Sequence, residues 1–178
     1  MVVAGIDVGT NTLRLLVAES HGSGWKELYS DRRITRLGEG FHEKHRLVPS
    51  AIHRSIEALC RFREAVDRFP SPKISAVATS AVREAENREE FLELARRQAG
   101  FEIRVISGEE EARLTALGIQ EAVPPGDNLQ VLMDIGGGST EWILVRRREI
   151  LVRLSLPIGV VHLTEMFLQS DPPRSSEI

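Results

Sequence analysis

Two rhythms of apolar and polar positions alternate along this chain. "MVVAGID" is an apolar run that closes on Asp7, and "TLRLLVAES" resumes after a tight Gly-Thr-Asn turn; both predict strands. A third strand is expected in "WKELYSDRRITRLG", behind a hairpin marked by Gly22 and Gly24, and the polar stretch "GEGFHEKHRL" reads as a loop. From Pro49-Ser50 the period changes. Ile52, Ile56, Leu59, Phe62, Val66 and Phe69 recur at three-to-four spacing, which predicts an amphipathic helix ended by Pro70 and Pro72. "KISAVAT" is the next strand. "SAVREAENREEFLELARRQAG" reads as helix, with Asn87 capping a longer segment after a short one and Gly100 closing it. "FEIRVIS" is a further strand and "GEEEARLTALGIQEAV" a further helix.

"PPGDN" is the best linker in the chain. Beyond it "LQVLMD", "STEWILVRR" and "EILVRLSL" predict three strands, Pro157 opens a last helix in "IGVVHLTEMF", and "QSDPPRSSEI" has the composition of a frayed end. An opening meander followed by alternating strands and helices implies a mixed α/β sheet with helices on its faces. The pattern then restarts: "MDIGGGSTEWILV" (133–145) repeats the form of "GIDVGTNTLRLLV" (5–17). A first lobe is therefore expected over 1–125 and the opening of a second over 126–178.

Each copy places a carboxylate, Asp7 or Asp134, at a strand end, followed by a turn rich in glycine and hydroxyls. A β-hairpin explains one such turn well enough. Two copies, each feeding an apolar strand, point to a shared use. Glycines let backbone N–H groups approach a phosphate, and neighbouring hydroxyls add donors. The phosphate-binding candidates are Gly9, Thr10, Asn11 and Thr12 in the first turn and Gly136, Gly137, Gly138, Ser139 and Thr140 in the second. A carboxylate beside a phosphate needs a divalent cation or a water between them, which makes Asp7 and Asp134 metal candidates and Mg²⁺ the expected ion. Glu141, two residues past Ser139, points to the same side of its strand. It would orient the attacking water or bind the metal; the plain alternative is an exposed strand residue. Two such turns facing one another would hold a phosphate chain between lobes.

The paired turns resemble the two phosphate loops of the actin, sugar kinase and Hsp70 ATPase superfamily. More narrowly, "GIDVGTNTLRLLVAE", "AVATSAVREAENREEF", "ISGEEEARLTALG" and "MDIGGGSTEWIL" resemble, in order and spacing, the exopolyphosphatase and guanosine pentaphosphate phosphohydrolase family. The resemblance runs from Gly5 to about Phe167 and implies an actin-like, ribonuclease-H-like fold. Family members are longer, with a complete second lobe. It also implies Mg²⁺-dependent hydrolysis of a terminal phosphoanhydride in polyphosphate or guanosine pentaphosphate, with a glutamate of "GEEEAR" as general base. Matching to Asp134 selects Glu111, with Glu110 as the alternative. Without the resemblance these acids would simply favour a helix N-terminus. Arg83, in "TSAVREA", would be an exposed helix arginine paired near Glu86 or Asn87; the resemblance implies instead that it offsets phosphate charge. Arg14 projects from its strand toward a face that the sequence leaves open.

Composition narrows the reading little further. With 26 acidic against 23 basic residues there is no basic excess for a nucleic-acid or membrane surface. Cys60 is the single cysteine and reads as a helix-buried thiol in a reducing cytoplasm. No stretch approaches the roughly 20 apolar residues of a membrane span. His21, His42, His45, His53 and His162 show no metal-ligand spacing. A kinase of the same superfamily is disfavoured because the late second lobe that holds adenosine is missing. A non-catalytic nucleotide- or polyphosphate-sensing module, or a fragment needing a partner chain, is the alternative from another class. The short second lobe predicts a homo-oligomer or the remainder of a longer chain.

Overall fold

A computed structural model of the 178-residue chain describes residues 1–22, 24–41, 45–122, 127–168 and 170–177, with backbone alone at 121 and 122. His42 and Lys44 of the polar loop and residues 124–126 of the linker lie outside the described residues. The chain forms two compact units, Met1–Val105 and Ile106–Ile178.

The first unit is built on a five-stranded sheet in the order β3-β2-β1-β4-β5. Its strands are β1 (Val2–Val8), β2 (Thr12–His21), β3 (Gly24–Ile34), β4 (Lys73–Ala78) and β5 (Ile103–Val105). The β1–β2–β3 meander is antiparallel, whereas β4 and β5 join parallel to β1 through helical crossovers. Alternation decides which face is covered: Ala4, Ile6 and Val8 of β1, Leu13, Leu15 and Val17 of β2, and Ala76 and Ala78 of β4 are all buried. Helix α1 (Pro49–Val66) lays Ile52, Ile56, Leu59, Phe62 and Val66 into that core. Phe69, expected in the same stripe, lies beyond the helix and packs at the core's margin.

The segment between β3 and α1 is less polar in place than in composition. Leu37, Phe41 and Leu47 are buried and anchor it. The predicted long helix after β4 is three pieces: α2 (Ser80–Glu84), α3 (Arg88–Leu94) and a wider π-helical turn over Ala95–Ala99. Asn87 stands at the N-cap of α3 but its side chain makes no capping bond. Its amide instead brackets the backbone of Leu47, accepting from the Leu47 N–H at 2.8 Å and donating to the Leu47 carbonyl at 3.0 Å. Gly100 ends the helical run at φ +68, as its composition predicts. Arg63 seals this end, donating from Nε to the Ala99 carbonyl at 3.0 Å with its guanidinium 4.1 Å over the Phe101 ring.

The second unit opens with α4 (Gly108–Ala122) and an antiparallel sheet of β6 (Gln130–Ile135), β7 (Thr140–Arg146) and β8 (Glu149–Leu156). Ala112 and Ala116 of α4 pack on Ile143 and Val145, with Leu132 and Ile150 at the margin. Contacts thus group α4 with the second sheet, although the sequence reading counts it with the first lobe. The final helix, α5, spans Val160–Phe167 behind an extended Gly159, and so begins later than Pro157. Among the described residues no helix is long and apolar enough to cross a membrane.

Candidate active site

The repeated motif is a repeated structure. In the first unit the Gly9 N–H donates to the Thr12 carbonyl at 3.2 Å; in the second the Gly136 N–H donates to the Ser139 carbonyl at 2.9 Å. A Cβ on Gly9 would sit 2.9 Å from that Thr12 oxygen, and one on Gly136 would sit 3.0 Å from the Ser139 oxygen. Close approach is therefore the reason for glycine at both positions. Each turn joins two antiparallel strands, and in each the aspartate faces a charged residue near the start of the outgoing strand: Asp7 pairs with Arg14, Asp134 with Glu141.

That pairing gives the two aspartates opposite surroundings. Asp7 shares the open face of the first sheet with a row of arginines, since Arg14 pairs with Arg32, and Asp7 pairs through Val77 to Arg104. Arg14, Arg32 and Arg104 are exposed, while Asp7 is half-buried. Arg14 thus projects to the same face as Asp7. The arginines at 32 and 104 escape sequence reasoning because only strand register brings them into line with it. Such a row is a positive field beside the first turn. Arg83 lies on α2, whose strand β4 ends beside β1: the Thr79 N–H donates to the Val8 carbonyl at 3.2 Å. The Arg83 guanidinium stands 3.9 Å from the Glu84 carboxylate.

In the second unit the neighbours are acidic. Glu141 is 2% exposed and its Oε1 accepts the Ser155 hydroxyl at 2.8 Å, so the plain alternative of an exposed strand residue is ruled out. Asp134, Glu141 and Ser155 form one row across β6, β7 and β8 on the face that α4 covers. Ser155 is a partner that register alone reveals. The Ser107 hydroxyl accepts from the Glu110 N–H at 3.2 Å and so caps α4. Of the three acids in its first turn, Glu109 is exposed and pairs with Arg153 at 3.5 Å, whereas Glu110 and Glu111 are half-buried. Among the described residues no three His, Cys, Asp or Glu side chains form a cluster able to hold a metal by themselves. The Asp134–Glu141 pair still suits Mg²⁺, which takes one or two carboxylates and keeps its waters. In the second turn Ser139 and Thr140 are buried. The Thr140 hydroxyl donates to the Ile158 carbonyl, which commits its proton to the segment leading into α5.

The model of the Ppx/GppA phosphatase family matches residues 16–178 of this chain. Exopolyphosphatase 2 of Mycobacterium tuberculosis is 37% identical over 186 residues, covering 99% of this chain and 58% of that protein. The crystal structure of an exopolyphosphatase from Cytophaga hutchinsonii superposes with a TM-score of 0.93 at 33% identity, over 99% of this chain and 57% of that one. A Ppx/GppA enzyme of Aquifex aeolicus superposes at 0.80 with 38% identity, over 99% and 59%. The chain thus spans a little under three-fifths of the relatives it resembles.

Proposed function

Because the chain belongs to the Ppx/GppA phosphatase family, we propose that it releases the terminal phosphate of inorganic polyphosphate or guanosine pentaphosphate by hydrolysis, in the cytoplasm. The observation that carries the reading is the pair of turns closed alike, each behind an aspartate. Phosphoryl transfer asks a protein mainly for positioning and for groups that offset charge. The amides that follow Gly9 and Gly136 in the two turns bind phosphate oxygens, while those of Gly9 and Gly136 themselves close the turns. Arg83 offsets their charge, supported by the arginine row around Asp7. Glu111, or Glu110 beside it, takes the proton of the attacking water from the half-buried first turn of α4. Mg²⁺ would be held in the second unit by Asp134 and Glu141, with Asp7 the metal candidate of the first unit, and would neutralise phosphate charge when bound. The acidic balance supports neither a nucleic-acid nor a membrane partner. Another copy of this chain, or the remainder of a longer one, is the protein partner we propose.

Glu111→Gln keeps the shape of the side chain and removes the base. It is expected to lower phosphate release by roughly 10²–10⁴-fold without shifting the thermal melt. Near-normal release from a folded variant would move the role to Glu110. The same assay run on the unsubstituted chain with and without Mg²⁺ separates hydrolysis from sensing: binding of polyphosphate with no release under either condition would make the chain a non-catalytic binding module.

A further inference from the structure

Both turns are tied down by backbone amides of another segment, one residue apart in register. In the first unit the Gly38 N–H donates to the Thr10 carbonyl at 2.8 Å, and the Thr35 and Arg36 N–H groups both donate to the Asn11 carbonyl at 3.0 Å. In the second, the Val160 N–H donates to the Gly136 carbonyl at 3.0 Å, and those of Val161 and His162 to the Gly137 carbonyl at 2.9 and 3.4 Å. Two successive carbonyls of each turn are thereby held by amides of another segment. The first amides of a helix have no partner within it, and in α5 these turn carbonyls take that place. One glycine of each strap sits at the point of closest approach. A Cβ on Gly159 would collide with the Gly137 carbonyl and the Gly138 nitrogen, and a Cβ on Gly38 with Cγ2 of Thr10.

A trans peptide is planar, with its C=O and the following N–H pointing in opposite directions. Holding the carbonyls of Thr10 and Asn11 therefore turns the N–H groups of Asn11 and Thr12 away from the strap. Holding those of Gly136 and Gly137 does the same for the N–H groups of Gly137 and Gly138. The positive end of α5 also stands behind the second turn, which favours an anion in front of it. We infer that Gly38 and Gly159 are positioning residues, whose missing side chains let the two straps aim four turn amides at bound phosphate. This rests on the phosphate role proposed above for the turns. It adds that neither turn is set by its own sequence alone.

The test uses the ¹⁵N-labelled 178-residue chain with inorganic polyphosphate as probe. The wild-type chain is expected to show polyphosphate-dependent shifts at the amides of Asn11, Thr12, Gly137 and Gly138. Gly159→Ala should stay folded but lose hydrogen-exchange protection at Val160 and Val161, lose the response of Gly137 and Gly138, and bind about 10–100-fold more weakly. Gly38→Ala should lose the response of Asn11 and Thr12. The double variant Gly38→Ala/Thr10→Ser should regain it relative to Thr10→Ser alone, because serine keeps the hydroxyl and removes the colliding methyl. What remains near the new Cβ is then an ordinary contact, 3.5 Å to the Thr10 carbonyl and 3.6 Å to the Ala81 Cβ. A general loss of stability would lower the response of Gly137 and Gly138 as well, so a loss confined to Asn11 and Thr12 in folded Gly38→Ala, restored in the double variant, decides the question even if Gly159→Ala fails to fold. Unchanged amide responses in the single variants, or no rescue in the double one, would overturn the positioning role and leave the phosphate role standing. Absence of any response at the four amides in the wild-type chain would overturn the phosphate role itself, and this inference with it.

Discussion

A carboxyl group as enclosed as that of Glu141 has to be answered by a donor, and the Ser155 hydroxyl answers it across the β7–β8 ladder. The bond also fixes the carboxyl on the α4 side of the sheet, where Asp134 stands as its cross-strand neighbour. Removing the hydroxyl leaves a buried oxygen without that partner, which costs about 1–3 kcal/mol. Ser155→Ala is therefore expected to lower the urea midpoint with an unchanged slope, and to weaken the Mg²⁺-dependent phosphate release proposed above through the freed carboxyl. A midpoint equal to that of the parent chain would show that Glu141 tolerates burial without this donor.

Across the junction of α3 with the π-helical turn that follows it, the Arg96 guanidinium donates to both oxygens of Glu93, at 2.7 and 2.9 Å. That hydrogen bonding holds the Glu93 carboxyl below its ordinary value and raises Arg96 above its own. A depressed carboxyl stabilises the fold above the pH of its unfolded titration, and the contribution is lost as pH falls through the folded value. Because both side chains are exposed to solvent, salt screens the pair. The Glu93 titration, followed by carboxyl carbon shifts, is expected to move upward in 1 M salt, and an unmoved titration would contradict this. Helices such as α1 and strands such as β1 and β2 were readable from the chain because a covered face imposes a period on it. The two turns were readable because glycine and a strand-end aspartate are local marks. Leu37, Phe41 and Leu47 were not, since anchors in an irregular segment follow no period. Nor was the bracket of Asn87 on Leu47, which competes with the capping its local sequence suggests. The arginine row at Asp7 and the Ser155–Glu141 bond depend on register between strands, which no single segment encodes.

The second sheet is covered on one side only. Ile143 and Val145 lie under α4, but the residues that alternate with them, and their cross-strand neighbours, carry an apolar face that stays open: Val131, Met133, Ile135, Trp142, Val152 and Leu154. Trp142 alone is 43% exposed in its centre. Single exposed apolar residues are ordinary, but a contiguous patch flanked by two sheet edges, β6 and β8, is a surface that proteins cover. The relatives named above are longer than this chain by about two-fifths of their own length, so they have residues available for such a cover that the 178 do not include. The chain by itself is therefore expected to associate with another copy of itself through this face. Light scattering over a concentration series should show a rising mass, and the emission of Trp142, followed with Trp25 replaced by Phe, should shift to the blue over the same range. Replacing Val131 and Leu154 by Thr on the open face is expected to return the chain to a monomer without lowering its melting temperature, because neither side chain contributes to the core beneath α4. A monomer at every concentration, with Trp142 emission fixed at its exposed value, would show that three strands and two helices hold this face in water unaided.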